Sequence, residues 1–368
     1  LKFTTDFSSA AGAQVHFIGV GTPQREDGHS ADLGQLESAV GALIPYLRAG
    51  DVVVGKSTVP VGTAALVAEQ LERSVPGVGL IWNPEFLREG FAVQDTLAPD
   101  RIVYGLPEHG DSQWLVDTLD EVYAAALGEG VPRLVMNYPT SELVKVSANA
   151  FLATKISFIN AVAAGADVTK IAEAIGYDDR IGRKFLRAGV GFGGGCLPKD
   201  LRAFRARAEE LGVGDEMGLF HEVELLNLGQ RRRVVEEVQR LAGGDLNDVS
   251  VTALGLSFKP NTDDIRDSPA MAVASELQNR GAKVTATDPR AVEAAKKADQ
   301  RLRYVENVRL ALEGADVVVL LTEWGEYTAL DPAEVAAAVR SPNVVDARNA
   351  LDPERWVGAG WSYVGIGR

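Results

Sequence analysis

The sequence predicts an α/β protein with two doubly wound parallel-sheet domains, joined by a long helix and a helical middle domain. Two observations support this prediction. Short apolar strands alternate with helical segments in the first third of the chain and again from Asp248 onwards, which is typical of parallel sheets covered by helices. Between these regions, residues 140–174 carry apolar side chains at helical spacing with few helix breakers.

The first alternating region predicts strands, helices and two candidate binding loops. Strands are predicted over 15–20, 51–54, 79–82 and 101–104, with helices over 32–47 and 62–71. Ligands of such sheets bind at the carboxyl ends of the strands. The loops at 21–23 and 56–60 follow the first two strands, so we expect them to border a binding site.

The second alternation predicts a smaller Rossmann-like domain, with strands over 249–254, 283–287, 316–321 and 343–345. We therefore expect three domains: a Rossmann-like domain over 1–136, a helical middle domain over 137–240 and a second Rossmann-like domain over 241–368. No G-x-G-x-x-G follows an early strand. For this reason we expect that the first strands of domain 1–136, with the dinucleotide fingerprint, are missing from the sequence.

Composition excludes several classes of protein. The 51 acidic and 37 basic residues give a net charge of -14, which disfavours a nucleic-acid partner. No apolar run approaches the length of a membrane span, so the sequence predicts a soluble, cytoplasmic protein without a membrane partner. With one cysteine and four scattered histidines, we expect neither a disulfide framework nor a metal centre.

The only cysteine lies in a segment that favours a reactive thiolate. Residues 191–200 read G-F-G-G-G-C-L-P-K-D, so that Cys196 follows a glycine-rich loop and precedes Lys199 and Asp200. Glycines let backbone amides approach a ligand closely, and a nearby cation lowers the pKa of a thiol. A helix beginning here would place Asp200 on the same face as Cys196. The alternative is a buried structural cysteine.

Two further pairs of polar residues are spaced four apart. One helical turn would direct Glu85 and Glu89 towards one site, where one carboxylate acts as a base and the other positions cofactor or water. Lys145 and Asn149 would share a face of the long helix and stabilise a developing oxyanion. For both pairs the alternative is a solvated helix face.

The segment around Cys196 resembles the catalytic cysteine motif of the UDP-glucose and GDP-mannose dehydrogenases. Further matches occur in the family's order: V-G-T-P at 20–23, K-S-T-V-P at 56–60, N-P-E-F-L-R-E-G at 83–90, Lys145 with Asn149, R-I-G at 180–182, G-L-S-F-K-P at 255–260 and T-D-D-I-R-D-S-P at 262–269. Together they span essentially the whole chain.

The resemblance implies an NAD-dependent enzyme that oxidises the CH2OH group of a UDP-sugar to a carboxylate with two molecules of NAD. It implies that Cys196 captures the aldehyde as a thiohemiacetal, which becomes a thioester that water hydrolyses. The catalytic residues implied are Cys196, Lys145, Asp200, Glu85, Asn149 and Thr58. The cofactor-binding residues implied are Thr22, Pro23, Thr58, Glu89, Lys199 and Arg266.

The resemblance also assigns cations and loop residues to the substrate. The substrate-binding residues implied are Glu85, Phe86, Leu87, Arg88, Lys145, Asn149, Arg180, Phe185, Arg187, Gly191, Phe192, Gly193, Lys259 and Arg348. Arg180 resembles a residue that reaches into the sugar site of the neighbouring subunit. The middle segment is rich in apolar residues yet too small to bury them against itself, so we expect a homodimer or a higher homo-oligomer.

Three alternatives remain open. The same chemistry on GDP-mannose or a UDP-N-acetylhexosamine is the nearest, although residues 91–95 and 99–103 resemble the UDP-glucose branch more closely. A two-electron hydroxyacid dehydrogenase would share the sheet and the helical lysine but would not need Cys196. A non-catalytic nucleotide-binding or scaffold protein is the third, because no glycine fingerprint is present.

Overall fold

The computed structural model describes residues 2–163 and 166–368, which divide into two compact units. The first unit contains Leu1–Asn149 and Lys199–Met217, and the second contains Ala150–Pro198 and Gly218–Arg368. The division into three domains at 136 and 240 stays a prediction. No helix within the described ranges combines the length and apolarity that a bilayer crossing requires.

The first part of the chain alternates strands and helices, as the sequence predicts. In chain order the elements are β1 (Val15–Ile18), α1 (Gly34–Leu43), β2 (Val52–Gly55), α2 (Thr63–Ser74), β3 (Gly79–Trp82), α3 (Ala92–Leu97), β4 (Ile102–Leu106), α4 (Gln113–Val122), α5 (Ala124–Gly128), β5 (Arg133–Asn137) and α6 (Tyr138–Val162). The strands form one sheet in the order β1-β2-β3-β4-β5.

The expectation of a wholly parallel first sheet is wrong at β4. Strands β1, β2 and β3 are parallel to one another, but β4 pairs antiparallel with β3 through Trp82 and Gly105. A parallel pair needs a crossover connection, usually a helix packed on the sheet. The only helix between β3 and β4 is α3, which has six residues and buries none of them, so the chain returns without such a crossover.

The central strands of this sheet are buried on both faces, which explains their continuous apolar sequence. Successive side chains of a strand point to opposite faces. Val53 packs with Leu36 of α1 and the apolar residues of α2, whereas Val52 and Val54 pack with Leu115 and its neighbours on α4. The loops that follow β1, β2 and β3 therefore emerge together at the carboxyl edge of the parallel strands.

The predicted helical stretch 140–174 is divided between two helices. The helices of this part of the chain are α6, α7 (Val168–Gly176), α8 (Leu197–Glu210) and α9 (Gly218–Leu241). The end of α6 at Val162 is earlier than the sequence indicates, and residues 164 and 165 fall outside the described ranges. Helix α8 begins directly after Cys196, as the spacing of the cysteine segment predicts.

The last part of the chain forms the second sheet, in the order β11-β10-β9-β6-β7-β8, and all of its pairings are parallel. Its elements are β6 (Ser250–Leu254), α10 (Pro269–Asn279), β7 (Lys283–Thr287), α11 (Val292–Ala298), β8 (Arg303–Tyr304), α12 (Val308–Leu312), β9 (Val317–Leu320), α13 (Gly325–Thr328), α14 (Pro332–Ala338), β10 (Asn343–Asp346), α15 (Pro353–Gly358) and β11 (Ser362–Gly365). The second Rossmann-like sheet is confirmed. The sequence missed β5, β8 and β11, which are short or largely exposed.

Candidate functional site

A carboxylate and an ammonium group meet at the carboxyl edge of the first sheet. Glu85 follows β3 and Lys145 lies on α6, and Lys145 Nζ is 3.3 Å from Glu85 Oε1. The Lys145 side chain is 7% exposed and that of Glu85 is 29% exposed, so the carboxylate is the more accessible partner. The ring of Phe86 lies 5.4 Å from Lys145 Nζ. This pair provides a proton donor and a proton acceptor at one place, as general acid–base chemistry requires.

The prediction that Glu85 and Glu89 lie on one helical turn is wrong. Residues 83–88 are not helical, and Glu85 Oε2 accepts a hydrogen bond from the backbone N–H of Leu87 at 2.5 Å. Pro84 lacks an N–H and disfavours helical backbone in the residue before it. Glu89 is exposed. Glu85 therefore meets Lys145 of another element instead of a glutamate on its own turn.

The other substrate candidates of this loop differ in their contacts. Arg88 forms a two-point ion pair with Asp95 of α3, at 3.0 and 2.6 Å. Phe86 packs under the guanidinium of Arg101 at 3.8 Å, and Leu87 is exposed. Arg88 is thus held by its own loop, and its role towards a substrate stays a prediction.

A second lysine, which the sequence indicated only as part of the K-S-T-V-P segment, lies beside this pair. Lys56 Nζ donates to Asn83 Oδ1 at 2.9 Å and to the hydroxyl of Tyr123 at 3.2 Å. Burial lowers the pKa of Lys56 to about 8, with Glu85 opposing the shift and the charge of Lys145 adding to it. Its position directly after the buried strand V-V-V-G was the signal that could have identified it.

Asp200 is another carboxylate of this unit that contacts candidate residues. Asn149 of α6 donates through Nδ2 to Asp200 Oδ2 at 2.6 Å, and Lys199 Nζ lies 2.7 Å from Asp200 Oδ1. Asp200 is buried. Asn149, Lys199 and Asp200, which the sequence analysis named as separate candidates, thus meet within the first unit.

The loops after β1 and β2 are tied together beside a cavity. Thr22 donates its hydroxyl to the carbonyl of Thr58 at 2.7 Å, and the exposed Pro23 accepts from the N–H of Asp32. A cavity of about 260 Å³ adjoins Thr58, with Lys199, Asp200 and Arg207 as its charged lining. The remaining lining is mainly apolar: Val59, Pro60, Val61, Leu143, Val146 and Phe204.

In the second unit, the glycine-rich loop packs against its own chain. Gly191 has a φ of +101°, a left-handed conformation that favours glycine, and a Cβ there would collide with Asn227. The Asn227 side chain accepts from Phe192 N at 2.7 Å and donates to Phe192 O at 3.0 Å. A Cβ at Gly193 would collide with the backbone of Asp267. Internal packing therefore accounts for these two glycines, where the sequence suggested approach to a ligand.

Cys196 is exposed and directly precedes α8. A helix N-terminus carries partial positive charge, which favours the thiolate form of a cysteine. A side chain at the preceding Gly195 would collide with the guanidinium of Arg266, which itself pairs with Asp264 at 2.7 Å. The alternative of a buried structural cysteine is wrong, because the side chain is accessible.

Arg348 joins three loops of the second unit. Its guanidinium donates to the carbonyls of Leu321 at 2.7 Å and Phe258 at 2.8 Å, and more weakly to that of Gly191 at 3.4 Å. Glu323 lies 3.2 Å from the Arg348 Nε. These contacts hold the loop containing Lys259 beside the glycine-rich loop, and the direct phosphate role of Arg348 stays a prediction.

The remaining substrate candidates lie at the surface of the second unit. Arg180 is 89% exposed and pairs with Asp178 at 2.6 Å in the turn after α7. Arg187 is also exposed, 3.9 Å from Glu323. Phe185 is exposed and has a φ of +63°, which is rare for a bulky residue and marks a strained position.

Comparison with known proteins identifies the family to which the chain is similar. Models of the UDP-glucose/GDP-mannose dehydrogenase family match its NAD binding domain to residues 1–127, its central domain to 139–228 and its UDP binding domain to 252–353.

Relatives are similar over the whole chain. The UDP-glucose 6-dehydrogenase of Rhizobium meliloti (strain 1021) is 41% identical over 377 residues, covering 100% of this chain and 85% of that protein. The UDP-glucose 6-dehydrogenase TuaD of Bacillus subtilis (strain 168) is 38% identical, covering 100% of this chain and 80% of that protein. A solved UDP-glucose dehydrogenase from the hyperthermophilic archaeon Pyrobaculum islandicum is 39% identical, with a TM-score of 0.87, covering 99% of this chain and 82% of that one. With all three domain models and these relatives in agreement, the chain belongs to the UDP-glucose/GDP-mannose dehydrogenase family.

Proposed function

We propose that this protein oxidises UDP-glucose to UDP-glucuronate, removing four electrons from each sugar. The observation that carries the proposal is the full-length similarity to relatives named UDP-glucose 6-dehydrogenase, at 38–41% identity. Its family makes the protein an NAD-dependent dehydrogenase with a UDP binding domain. The choice of sugar and the roles of individual residues are the proposed part.

The cavity beside Thr58 supports binding of the nicotinamide part of NAD. Its mainly apolar wall fits an aromatic ring, and Thr58 and Lys199 offer polar groups to the attached carboxamide and ribose. Thr22, which is bonded to the Thr58 carbonyl, holds the two loops in place. When bound, NAD supplies the hydride acceptor for both oxidations. Pro23, Glu89 and Arg266 are proposed as further cofactor contacts on the family resemblance.

Lys145 and Asp200 are the residues proposed to handle the proton of the sugar hydroxyl. Lys145 lies against Glu85, and Asn149 on the same face of α6 bonds Asp200. An amine and an amide on one helix face stabilise negative charge that develops on the substrate oxygen. The proton leaves through Lys145, Asp200 and water.

Cys196 is the proposed nucleophile. Its thiolate forms an S–C bond with the aldehyde carbon, and the carbonyl oxygen gains a proton, which gives a thiohemiacetal. This carbon still carries a hydrogen, so a second oxidation yields a thioester. Water activated by Glu85 and oriented by Thr58 then adds to the thioester, the C–S bond breaks and the thiolate leaves. The exposure of Cys196 before α8 supports this role.

Cations of the second unit are proposed to bind the diphosphate and the sugar. Lys259 and Arg187 supply local positive charge for an anionic diphosphate in a chain whose net charge is -14. Arg348 supports the loop of Lys259 through its bond to the Phe258 carbonyl. Phe185, Phe192 and the neighbouring glycines are proposed as sugar and nucleotide contacts on the family resemblance.

We also propose a homodimer or a larger homo-oligomer in which Arg180 completes the sugar site of a neighbouring subunit. In the second unit, large apolar side chains of α6 and α9 are exposed: Phe151, Phe158, Leu219, Leu225, Leu226 and Leu228. A second copy of the same surface would cover them, because two-fold pairing satisfies identical patches at once.

Turnover with a panel of nucleotide sugars tests the proposed substrate. We expect UDP-glucose to give the highest kcat/KM, with GDP-mannose and UDP-N-acetylhexosamines lower by at least tenfold. A preference for one of those sugars would replace UDP-glucose but keep the chemistry. Absence of turnover with every nucleotide sugar would contradict the proposed function.

A further inference from the structure

Three successive N–H groups in the loop after β6 donate to oxygens of the second unit itself. Those of Leu256 and Ser257 donate to Asp288 Oδ2 at 2.8 and 3.0 Å, and that of Phe258 donates to the carbonyl of Asp264 at 3.1 Å. In a dinucleotide-binding sheet, the loop after the first strand presents N–H groups of this kind to a pyrophosphate. Because these groups are paired internally here, the loop does not offer them to an anion.

Asp288 lies where a dinucleotide-binding sheet carries an acidic residue that binds a ribose, directly after the second strand of the sheet, β7. It is 3% exposed. Its Oδ2 also accepts from Trp324 Nε1 and Ser257 Oγ, both at 3.1 Å. Its Oδ1 accepts from the N–H groups of Arg290 and Ala291, both at 2.8 Å. Both oxygens of this carboxylate are therefore committed to the chain itself.

The carbonyl groups of the same loop are also held by side chains. The three hydrogen bonds are Ser268 Oγ to Leu256 O at 2.6 Å, Thr322 Oγ1 to Ser257 O at 2.6 Å and Arg348 Nη2 to Phe258 O at 2.8 Å. Gly255, at the start of the loop, has a φ of +104°, and a Cβ there would collide with Thr322. The path of the backbone is thus fixed from Gly255 to the residue before Lys259.

We infer that Asp288 is a positioning residue that acts through Lys259. Its carboxylate takes the place of an anion at the loop after β6 and fixes the loop, so that the diphosphate is bound by the Lys259 side chain and not by the N–H groups of this loop. The inference rests on the proposed function, in which Lys259 binds the diphosphate. A loop that is fixed before binding lowers the entropy lost when the ligand binds. Asp288 itself does not touch the substrate.

Calorimetric binding of UDP tests the inference without sugar or turnover. Asp288→Asn keeps the shape of the side chain, but only one of its two terminal atoms can accept, so one set of N–H groups loses its partner. We expect this change to raise the Kd for UDP by about tenfold. Lys259→Met, which removes the cation, should raise the Kd by about tenfold or more.

The variant with both changes shows whether Asp288 acts through Lys259. We expect it to bind UDP at most about twofold more weakly than Lys259→Met alone, because a displaced loop then has no cation to misplace. Separate losses that multiply, to about a hundredfold, would overturn the inference. An unchanged Kd for UDP in Asp288→Asn would overturn it as well.

A matched control separates this local effect from general destabilisation. Asp316, directly before β9, is a carboxylate at the opposite edge of the same sheet, where it accepts from Ser250 N at 2.9 Å and pairs with Arg340. Asp316→Asn should keep the Kd for UDP within about twofold of the wild type. A loss as large as that of Asp288→Asn would overturn the inference.

Steady-state kinetics give the second readout. Asp288→Asn should raise the KM for UDP-glucose by about tenfold and leave kcat within about threefold of the wild type, because Asp288 affects binding and not the reacting atoms. A fall in kcat at an unchanged KM would contradict the inference.

A milder variant keeps the test decisive if Asp288→Asn does not fold. Thr322→Val removes the hydrogen bond to the Ser257 carbonyl at nearly constant shape, and we expect it to raise the Kd for UDP by about threefold, with no further rise when it is added to Lys259→Met. An unchanged Kd in Thr322→Val, or an additive loss, would overturn the inference. A wild type that does not bind UDP would also overturn it, whereas one that binds UDP but oxidises no nucleotide sugar would contradict the proposed function alone.

Discussion

At the scale of single residues, the candidate side chains of the first unit work as contacting pairs. Glu85 meets Lys145, and Asp200 meets both Asn149 and Lys199. Each carboxylate thus has a cationic or amide partner that holds it in place. Such pairing would let two acidic groups stand beside the proposed site for an anionic nucleotide.

Replacement of Cys196 tests covalent capture. We expect Cys196→Ala to abolish formation of the uronate while binding of UDP-glucose, measured by calorimetry, stays within about threefold of the wild type. The thiol is needed to hold the aldehyde carbon and not to bind the nucleotide. Undiminished uronate production by this variant would contradict the proposed mechanism.

Replacement of Lys145 tests its role in the transition state. Lys145→Ala should lower kcat by roughly two to four orders of magnitude if the amine stabilises charge or relays a proton. Steady-state kinetics with UDP-glucose provide the measurement. A change confined to KM would show that Lys145 contributes to binding alone.

The sequence predicted some of these residues better than others, for physical reasons. Lys145 and Asn149 were predicted correctly to share a helix, because helical spacing is visible in the sequence. Glu85 and Glu89 have the same spacing, but Pro84 and the bond to the Leu87 amide give that loop a different path. The position of Lys56 after a buried strand is visible in the sequence, but its contacts with Asn83 and Tyr123, which are distant in sequence, are not.

At the scale of secondary-structure elements, one face of α6 organises the first unit. Glu142, Lys145 and Asn149 lie at positions i, i+3 and i+7 and therefore point to the same side of the helix. Glu142 accepts hydrogen bonds from the backbone N–H groups of Gly62 at 2.8 Å and Ala64 at 2.7 Å, at the start of α2. These hydrogen bonds fix the position of α6 relative to the start of α2, and they thereby fix the positions of Lys145 and Asn149 on the same face.

The buried Glu142 carboxyl predicts a pH dependence of stability. Burial raises the pKa of Glu142, and the hydrogen bonds from Ala64 and Gly62 oppose this only in part. A raised pKa means that the folded state binds the proton more tightly than the unfolded state. The contribution of Glu142 to stability is then fully present below the unfolded value, near 4.5, and is lost as the pH rises through the folded value.

Denaturant unfolding of the wild type and Glu142→Gln from pH 4 to 7 measures this effect. We expect the free energy of unfolding of the wild type, relative to Glu142→Gln, to decrease over this range. A relative stability that stays constant or increases with pH would contradict the assignment. Glu69→Gln, at a more exposed position of α2, serves as a control and should show no such trend.

The direction of strands was harder to predict than their existence. The apolar runs that form β2 and β3 are visible in the sequence because both faces of these strands are buried. The antiparallel β4 depends on how the 83–99 connection packs, which is a tertiary property. Strand β5 escaped prediction because Leu134 and Val135 are exposed at the sheet edge, so its apolar pattern does not mark a core strand.

At the scale of the whole molecule, subunit mixing tests the proposed shared site. Arg180→Ala and Cys196→Ala subunits should each be nearly inactive alone. If Arg180 acts across the interface, a mixed dimer contains one site with wild-type Arg180 and wild-type Cys196, and activity should return to roughly a quarter of the wild-type level after random exchange. Exchanged dimers, verified by mass, that stay as inactive as their parents would restrict Arg180 to its own chain.

The stoichiometry of the whole reaction tests the central claim most directly. With UDP-glucose limiting and NAD in excess, NADH formation followed by absorbance and UDP-glucuronate measured by chromatography give the number of hydrides removed per sugar. We expect two NADH and one UDP-glucuronate for each UDP-glucose consumed, with no free aldehyde, because Cys196 retains the intermediate. One NADH per sugar, with an aldehyde as the final product, would contradict four-electron oxidation by this protein.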